Sequence, residues 1–188
     1  MRKKGIVGLL WLLILSTPVF ADSSCDNWPS WFQWICIRSK QIINEGDNAI
    51  VVSGYAWHNR NYYTPEKIKT YNEKAWGGGL GRGFYDEKHN WHGYYGLVFL
   101  DSHKNLEPNI GYAYFKVWEI GQTPFELGLG YTAIITARAD LNKGRPFPGV
   151  LPLVSFGTKT VTAYATYIPG RRGIGNVLFI FGKITFGS

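Results

Sequence analysis

The chain has 188 residues, of which 45% are hydrophobic and 16% aromatic, and its formal net charge is +7. Beyond the N-terminus no segment reaches the roughly 18 consecutive apolar residues of a membrane helix, which excludes a helical membrane protein. An aromatic-rich chain with 23 glycines is typical of a transmembrane β-barrel, and a soluble β-sandwich is the alternative.

The first 21 residues have the pattern of a secretory signal. Three basic residues open the segment, residues 6–15 are apolar, and Val19 and Ala21 take the small-residue positions of a cleavage site. The apolar run is shorter than the roughly 20 residues of a stable membrane helix. We therefore expect export and cleavage after Ala21, with an uncleaved anchor as the alternative.

Residues 22–48 are expected to form an N-terminal segment that contains one amphipathic helix at 28–43. Pro29 suits a helix start, and aromatic and aliphatic residues recur every three or four positions after it. An apolar aromatic face with basic residues behind it indicates a helix lying in a membrane interface. A helix packed on a soluble core is the alternative.

The two cysteines carry no functional prediction. If the residues between Cys25 and Cys36 were all helical, their Cα atoms would lie about 16 Å apart, because a helix rises about 1.5 Å per residue. That separation is too long for a disulfide. An exported chain meets an oxidising compartment, which permits a bridge without requiring one.

Residues 49–188 are predicted to form an eight-stranded antiparallel barrel. Eight is an even number and the smallest common size of a closed membrane barrel. Longer and shorter connections alternate, and such barrels place their longer loops outside, so the first, third, fifth and seventh connections face outward. The predicted strands are 49–58, 75–85, 91–101, 107–119, 124–139, 149–157, 159–168 and 175–186.

The interior of this barrel is predicted to be apolar. In residues 91–100 both alternating faces are largely apolar, whereas a pore would have a polar inner face. An eight-stranded barrel has room for packed side chains or one slender ligand. A lumen thinned by glycines would admit a hydrocarbon chain, and a plainly packed core is the alternative.

Three polar residues are predicted to meet at the outer rim. The first and third strands run in the same direction; His58 closes the first, and Asp101 and Ser102 close the third. A histidine can take a proton from a hydroxyl while a carboxylate orients its ring. A serine can attack a carbonyl or stabilise an oxyanion. Ordinary turn chemistry at the strand ends is the alternative.

The outer loops carry more basic than acidic residues, Arg138 among them. Basic side chains suit the phosphates of lipid head groups, and a merely solvated surface is the alternative. Nucleic acid does not fit an exported barrel, and no metal-ligand spacing appears.

Two prolines predict a lateral opening in the barrel wall. Pro152 and Pro169 lie in or beside the sixth and seventh strands, where they cannot donate ladder hydrogen bonds. A closed barrel in lipid tolerates such a gap poorly. We expect a slit that passes a lipid tail; the alternative is that the prolines only end the strands.

Across residues 55–186 the chain resembles the PagP family of lipid A palmitoyltransferases. The stretches that carry the resemblance are AWHNR at 56–60, YNEKAWGGGLG at 71–81, DEKHNWHG at 86–93, FLDS at 99–102, GLGYTAIITAR at 128–138, LPLVSFG at 151–157 and TYIPG at 166–170. The resemblance implies an eight-stranded outer-membrane barrel with an N-terminal amphipathic helix. It also implies transfer of a palmitoyl chain from the sn-1 position of a glycerophospholipid to a hydroxyacyl chain of lipid A.

The resemblance also implies roles for individual residues. The family's essential histidine matches His58, its Asp-Ser pair matches Asp101 and Ser102, and its lateral-gate prolines match Pro152 and Pro169. The floor of its acyl pocket, a glycine in the best-known members, matches Ala113, so the preferred chain could be shorter than palmitoyl. Two further gate prolines of the family are replaced by Ser53 and Ala75, which puts that second route in doubt.

These observations combine into one hypothesis, a monomeric outer-membrane acyltransferase that needs no cofactor or metal. His58 acts as general base, Asp101 assists it, and Ser102 stabilises the tetrahedral transition state. Phospholipid is the donor and lipid A the acceptor. A lipid hydrolase, with water as the acceptor, and a non-catalytic structural or adhesive barrel are the alternatives.

Overall fold

The computed structural model describes residues 25–171 and 175–187 as a closed barrel of eight antiparallel strands. Each strand pairs with its chain neighbours, and the first pairs with the last. The strands are β1 (Asp47–His58), β2 (Gly77–Tyr85), β3 (Trp91–Leu100), β4 (Leu106–Glu119), β5 (Glu126–Thr136), β6 (Phe147–Gly157), β7 (Val161–Ile168) and β8 (Val177–Phe186). The predicted fold is confirmed. The signal predicted for residues 1–21 lies outside the described residues.

The strand bounds agree with the sequence prediction to within three residues. The largest difference is in β5, which ends at Thr136 instead of residue 139. The chain turns there, since the backbone N–H of Leu141 donates to the carbonyl of Arg138 at 3.2 Å. No helix within the described ranges is long and apolar enough to cross a membrane.

The predicted N-terminal helix is present as α1 (Ser30–Glu45) and lies against the outside of the barrel. Arg82 of β2 donates to the carbonyl of Ile42 at 3.1 Å, and the hydroxyls of Ser39 and Tyr94 lie 2.6 Å apart. Trp31 stays 69% exposed, so the barrel does not cover this side of α1. A second helix, α2 (Pro65–Lys69), was not predicted; it begins after Thr64, whose hydroxyl accepts from the N–H of Lys67.

The disulfide that the sequence left open is present, because the interval between the two cysteines is not helical throughout. Cys25 and Cys36 form a disulfide, and their Cα atoms lie 5.8 Å apart. Cys25 belongs to a short 3₁₀ turn (Cys25–Asn27) that precedes Pro29, and α1 begins only at Ser30. The helical rise therefore does not apply along the whole interval, and the bridge fastens this turn to α1.

The lumen holds a chain of cavities instead of a solid core. A mouth cavity of about 300 Å³ opens at the outer rim, a middle cavity of about 60 Å³ follows, and a lower one of about 30 Å³ lies beyond it. Phe99, Ile168 and Phe179 line both the mouth and the middle cavity. Tyr95, Leu153 and Phe181 line both the middle and the lower one. Mostly apolar walls thus connect the rim with the deep lumen.

Candidate active site

His58 lies at the outer end of β1 and is only 2% exposed. Its ring stacks on Tyr71 with centroids 4.6 Å apart and meets the edge of Tyr63 at 5.4 Å. Its Nε2 lies 2.9 Å from Oγ of Ser102, which follows directly after β3 and Asp101. The predicted meeting of His58 with Ser102 is thus present, because β1 and β3 end at the same rim.

The carboxylate beside the imidazole is Glu73, which the sequence reasoning missed. Its Oε1 lies 3.2 Å from Nδ1 of His58 and accepts the backbone N–H of His58 at 2.9 Å. A carboxylate only accepts, so Nδ1 carries the proton and Nε2 is free to accept from the Ser102 hydroxyl. Ser102, His58 and Glu73 are thus arranged as a hydroxyl, a base and a carboxylate that orients the base, which is an arrangement that can activate a hydroxyl group.

Arg60 fixes Glu73 in this position. Its Nη1 and Nη2 donate to Oε1 and Oε2 of Glu73 at 2.6 and 2.7 Å, a bidentate pair. The Arg60 guanidinium is the main cause that holds the pKa of Glu73 at about 2, with the His58 backbone and ring N–H also contributing. Glu73 is therefore ionised at neutral pH and supplies a negative charge beside the imidazole.

The carboxylate of Asp101, which was expected to assist His58, is bonded to the turn that follows it. Its Oδ1 accepts the backbone N–H groups of His103 and Asn105 at 2.7 and 2.8 Å, and its Oδ2 accepts from the Asn105 amide at 3.4 Å. These bonds close the turn after β3, while Glu73 occupies the place beside His58. Asp101 thus shapes the turn that presents Ser102.

The mouth cavity above these residues is lined by His58, Ser102, Tyr63, Lys67, Arg138 and Pro169, among others. Arg138 points into this cavity wall but is paired, since its Nε and Nη2 donate to the two oxygens of Asp140, both at 3.0 Å. Lys67 lies over the rings of Tyr63 and Tyr71 at 5.8 and 6.0 Å. A larger groove of about 940 Å³ runs along the outer wall and contains none of the candidate residues.

Ala113 lies deep in the lumen, 4% exposed, in the wall of the lower cavity. It packs in a cluster with Trp91, Phe115, Leu153 and Tyr164. All four of these side chains also line the lower cavity, and Trp91, Phe115 and Tyr164 line the next void as well, which holds only about 10 Å³, so the lumen narrows here. A chain that enters from the mouth would therefore end near Ala113.

The ladder between β6 and β7 is incomplete. Strand pairing runs only from Gly157–Thr162 to Val154–Ala165, although β6 extends back to Phe147 and β7 forward to Ile168. Pro152 lies just beyond the last pair, and its carbonyl accepts the Thr166 hydroxyl at 2.7 Å. Pro169 follows the end of β7. The outer half of this wall segment has no strand ladder, as the prolines suggested.

The positions of the two replaced prolines are bridged instead of open. The pairing of β1 with β2 ends at Ser53–Gly77, near a bulge between Ser53 and Tyr55. Beyond it, the buried Ser53 hydroxyl donates to the carbonyl of Ala75 at 2.7 Å. The N–H of Ala56 donates to the carbonyl of Glu73 at 2.9 Å. Hydrogen bonds thus join the two segments where strand pairing stops.

One group of metal-ligand types occurs in the described part of the chain, at the opposite rim. Ligand atoms of His89, Glu119 and Glu126 lie within 4.8 Å of one another. Glu126 already accepts from the Tyr85 hydroxyl at 2.7 Å, and Lys159 Nζ lies 4.0 Å from it. This group is separated from His58 by the length of the barrel and has no part in the candidate site.

Comparison with known proteins gives consistent matches. A family model described as "Antimicrobial peptide resistance and lipid A acylation protein PagP" matches residues 38–183, which include every candidate site residue. The chain is 51% identical over 173 residues to the lipid A acyltransferase PagP of Bordetella pertussis strain Tohama I, covering 92% of this chain and 94% of that protein. It is 52% identical over 164 residues to the lipid A acyltransferase PagP of Legionella pneumophila, covering 87% of each chain.

Proposed function

Since the chain belongs to the PagP family and is an acyltransferase, we propose that it moves a palmitoyl or similar chain from the sn-1 position of a glycerophospholipid to a hydroxyacyl chain of lipid A. The observation that carries this proposal is the hydrogen bond between His58 Nε2 and Ser102 Oγ, 2.9 Å long, above an apolar series of cavities. The base and the hydroxyl line the mouth cavity, next to the position that the ester of a chain bound in the lumen would take.

The reaction begins with the acceptor hydroxyl of lipid A at the mouth. His58 Nε2 takes the hydroxyl proton as the oxygen attacks the ester carbonyl, and the imidazolium is stabilised by Glu73. The Ser102 hydroxyl donates to the developing oxyanion. The tetrahedral intermediate then breaks its bond to the glycerol oxygen, which takes the proton from His58. The products are acylated lipid A and a lysophospholipid.

A second route has the Ser102–His58 hydrogen bond in its favour. Ser102 is placed as a nucleophile next to its base, and it would form an acyl-serine that the lipid A hydroxyl then attacks. In the direct route the acceptor hydroxyl replaces Ser102 at Nε2. Ping-pong kinetics and an enzyme heavier by one acyl group after mixing with donor alone would identify the covalent route.

The donor chain is proposed to reach the lumen through the incomplete wall between β6 and β7, beside Pro152 and Pro169. Its tail lies along the cavities toward Ala113, whose methyl group shortens the channel relative to a glycine. The acceptor approaches over the rim, because Ser53 and Ala75 are joined by a hydrogen bond at the other candidate gap. Arg138 and Lys67 face the mouth and suit head-group phosphates.

The remaining assignments complete the proposal. Residues 1–21 are a signal removed on export, residues 22–48 an interfacial segment, and residues 49–188 a barrel that works as a monomer in the outer membrane. The reaction requires no cofactor, because general-base catalysis and hydrogen bonding supply its chemistry.

The test uses purified protein, lipid A and a phospholipid labelled only in its sn-1 chain. We expect labelled lipid A heavier by one acyl group, together with an unlabelled lysophospholipid. Label released only as free fatty acid would instead indicate hydrolysis. Transfer of the unlabelled sn-2 chain would overturn the proposed donor position.

A further inference from the structure

Lys183 is a charged residue inside the lower part of the barrel, and it takes no part in the proposed transfer mechanism. It lies in β8 and is 5% exposed, and its Nζ lies 4.6 Å from the centroid of the Trp91 ring. The nearby carboxylate of Glu126 is engaged by His89, Tyr85 and Lys159. Among the residues that the structure describes, no carboxylate lies within ion-pair distance of Lys183.

A ring face compensates only part of the cost of taking an ammonium out of water. The group still needs a hydrogen-bond acceptor. Lys183 lies in the wall of the lower cavity, whose other walls are mostly apolar and include Ala113, Leu153 and Phe181. The volume of about 30 Å³ exceeds the roughly 10–15 Å³ that one water molecule requires. The cavity therefore has room for one small polar group beside the ammonium.

This cavity is the third of the series that begins at His58, and the void that follows it holds only about 10 Å³. The lower cavity shares Tyr95, Leu153 and Phe181 with the middle cavity, which opens in turn to the mouth. A chain that extends from an ester at the mouth therefore brings its terminal atoms toward Lys183. A methyl group offers the ammonium nothing, whereas an oxygen atom accepts its hydrogen bond.

We propose that Lys183 is a specificity-determining residue for the end of the transferred chain, and that the enzyme accepts phospholipids whose transferred chain ends in a hydroxyl group. The inference rests on the proposed function, in which that chain occupies the lumen. The terminal hydroxyl lies in the lower cavity, and its oxygen accepts a hydrogen bond from the Lys183 ammonium.

The test compares two donors at equal concentration with lipid A as acceptor. One carries the methyl-ended chain that the enzyme prefers, and the other an ω-hydroxy chain with the same number of non-hydrogen atoms. The readout is the ratio of the two transfer rates. Lys183→Met keeps an unbranched side chain and removes the ammonium. We expect this variant to lower the hydroxy-to-methyl ratio by about tenfold, because a buried hydroxyl then loses its partner.

Lys116→Met is the matched control, since Lys116 lies on the exposed face of β4, and its ratio should equal that of the wild type. An equal ratio in wild type and Lys183→Met would overturn the inference. If Lys183→Met does not fold, the wild-type ratio decides alone: a rate with the ω-hydroxy donor below a hundredth of the methyl-ended rate overturns the inference. Transfer of neither chain by the wild type would instead count against the proposed function.

Discussion

Oε1 of Glu73 accepts from both the backbone N–H and the ring of His58, at 2.9 and 3.2 Å. One carboxylate oxygen thereby fixes the position of the residue and the tautomer of its imidazole. The side chain that orients the proposed base comes from a loop, 15 residues along the chain, and not from a neighbouring strand.

The first prediction concerns this carboxylate. Glu73→Gln keeps the size of the side chain and removes the charge that stabilises the imidazolium. We expect kcat for acyl transfer to fall by about 10²–10⁴-fold, the range associated with an oriented general base. Glu66→Gln, on the exposed surface of α2, should leave kcat unchanged. A Glu73→Gln enzyme with kcat within twofold of wild type would remove Glu73 from the mechanism.

The second prediction concerns pH. Glu73 has a folded pKa of about 2, below its ordinary value of 4.5, so its ionised form stabilises the fold above pH 4.5 and this contribution is lost as the pH falls toward 2. Arg60→Ala removes the main cause of the shift and raises that pKa. We expect the variant to be less stable than the wild type at pH 6, and this difference to shrink at pH 4, because below pH 4.5 the wild type loses part of a Glu73 contribution that the variant no longer has. Denaturant midpoints at pH 6 and pH 4 measure it, with exposed Lys69→Ala as the control; equal losses in wild type and Arg60→Ala would contradict the prediction.

The third prediction concerns chain length. Ala113→Gly removes one methyl group from the wall of the lower cavity and deepens the channel. We expect the preferred chain to lengthen by about one or two carbons, the space of roughly one methylene group or slightly more. Mass spectrometry of lipid A after competition among donors of different length measures the shift. The control is Ala133→Gly, on the outer face of β5, which should leave the distribution of transferred chain lengths unchanged. An unchanged distribution in Ala113→Gly would show that Ala113 is not the floor of the channel.

The fourth prediction concerns the wall between β6 and β7. Extending the observed register would pair Leu151 with Ile168, where no ladder exists. Cysteines at these two positions, joined by a bismaleimide, should block transfer by closing the slit, while the unlinked variant stays active. The matched control joins cysteines at Val154 and Ala165, which are already paired. Full activity after linking residues 151 and 168 would show that the donor uses another path.

The fifth prediction concerns Ser53. Ser53→Ala removes its bond to the Ala75 carbonyl and leaves a buried acceptor without that partner, which costs about 1–3 kcal/mol of unfolding free energy. We expect a lower denaturant midpoint and a transfer rate within twofold of wild type. Thr160→Ala, in the exposed turn between β6 and β7 at the other rim, should change neither. A several-fold faster rate in Ser53→Ala would mean that this hydrogen bond holds a usable lipid route shut.

Strand parity explains what the sequence could predict. Alternating connections place the ends of β1 and β3 at one rim, so the meeting of His58 with Ser102 follows from topology alone. The incomplete β6–β7 ladder follows from the chemistry of proline, which lacks an N–H at Pro152 and Pro169. Both inferences depend on local backbone rules, which a single sequence displays.

Glu73, Asp101 and the disulfide depend on loop paths, which local rules do not determine. Glu73 reaches His58 because α2 and the Arg60 pair direct the loop after β1 back over the rim. Asp101 precedes Ser102 in sequence, yet the turn's own N–H groups use its carboxylate. Cys25 comes near Cys36 because the chain turns before α1 begins. In the sequence, Glu73 is marked only by its place in YNEKAWGGGLG at 71–81, one of the stretches that resemble the PagP family.

Because Glu73 comes from a loop, forming the barrel in the membrane does not by itself complete the site around His58. Strand pairing alone assembles a barrel with His58 and Ser102 at its rim, but the imidazole gains its negative partner only after residues 59–76 settle over the mouth. In the proposed mechanism, a newly inserted barrel would therefore not transfer acyl chains until residues 59–76 have folded over the mouth. Anything that disturbs this cover from the cell surface, such as an antibody or a protease, would disable the enzyme while leaving its β-sheet spectrum intact.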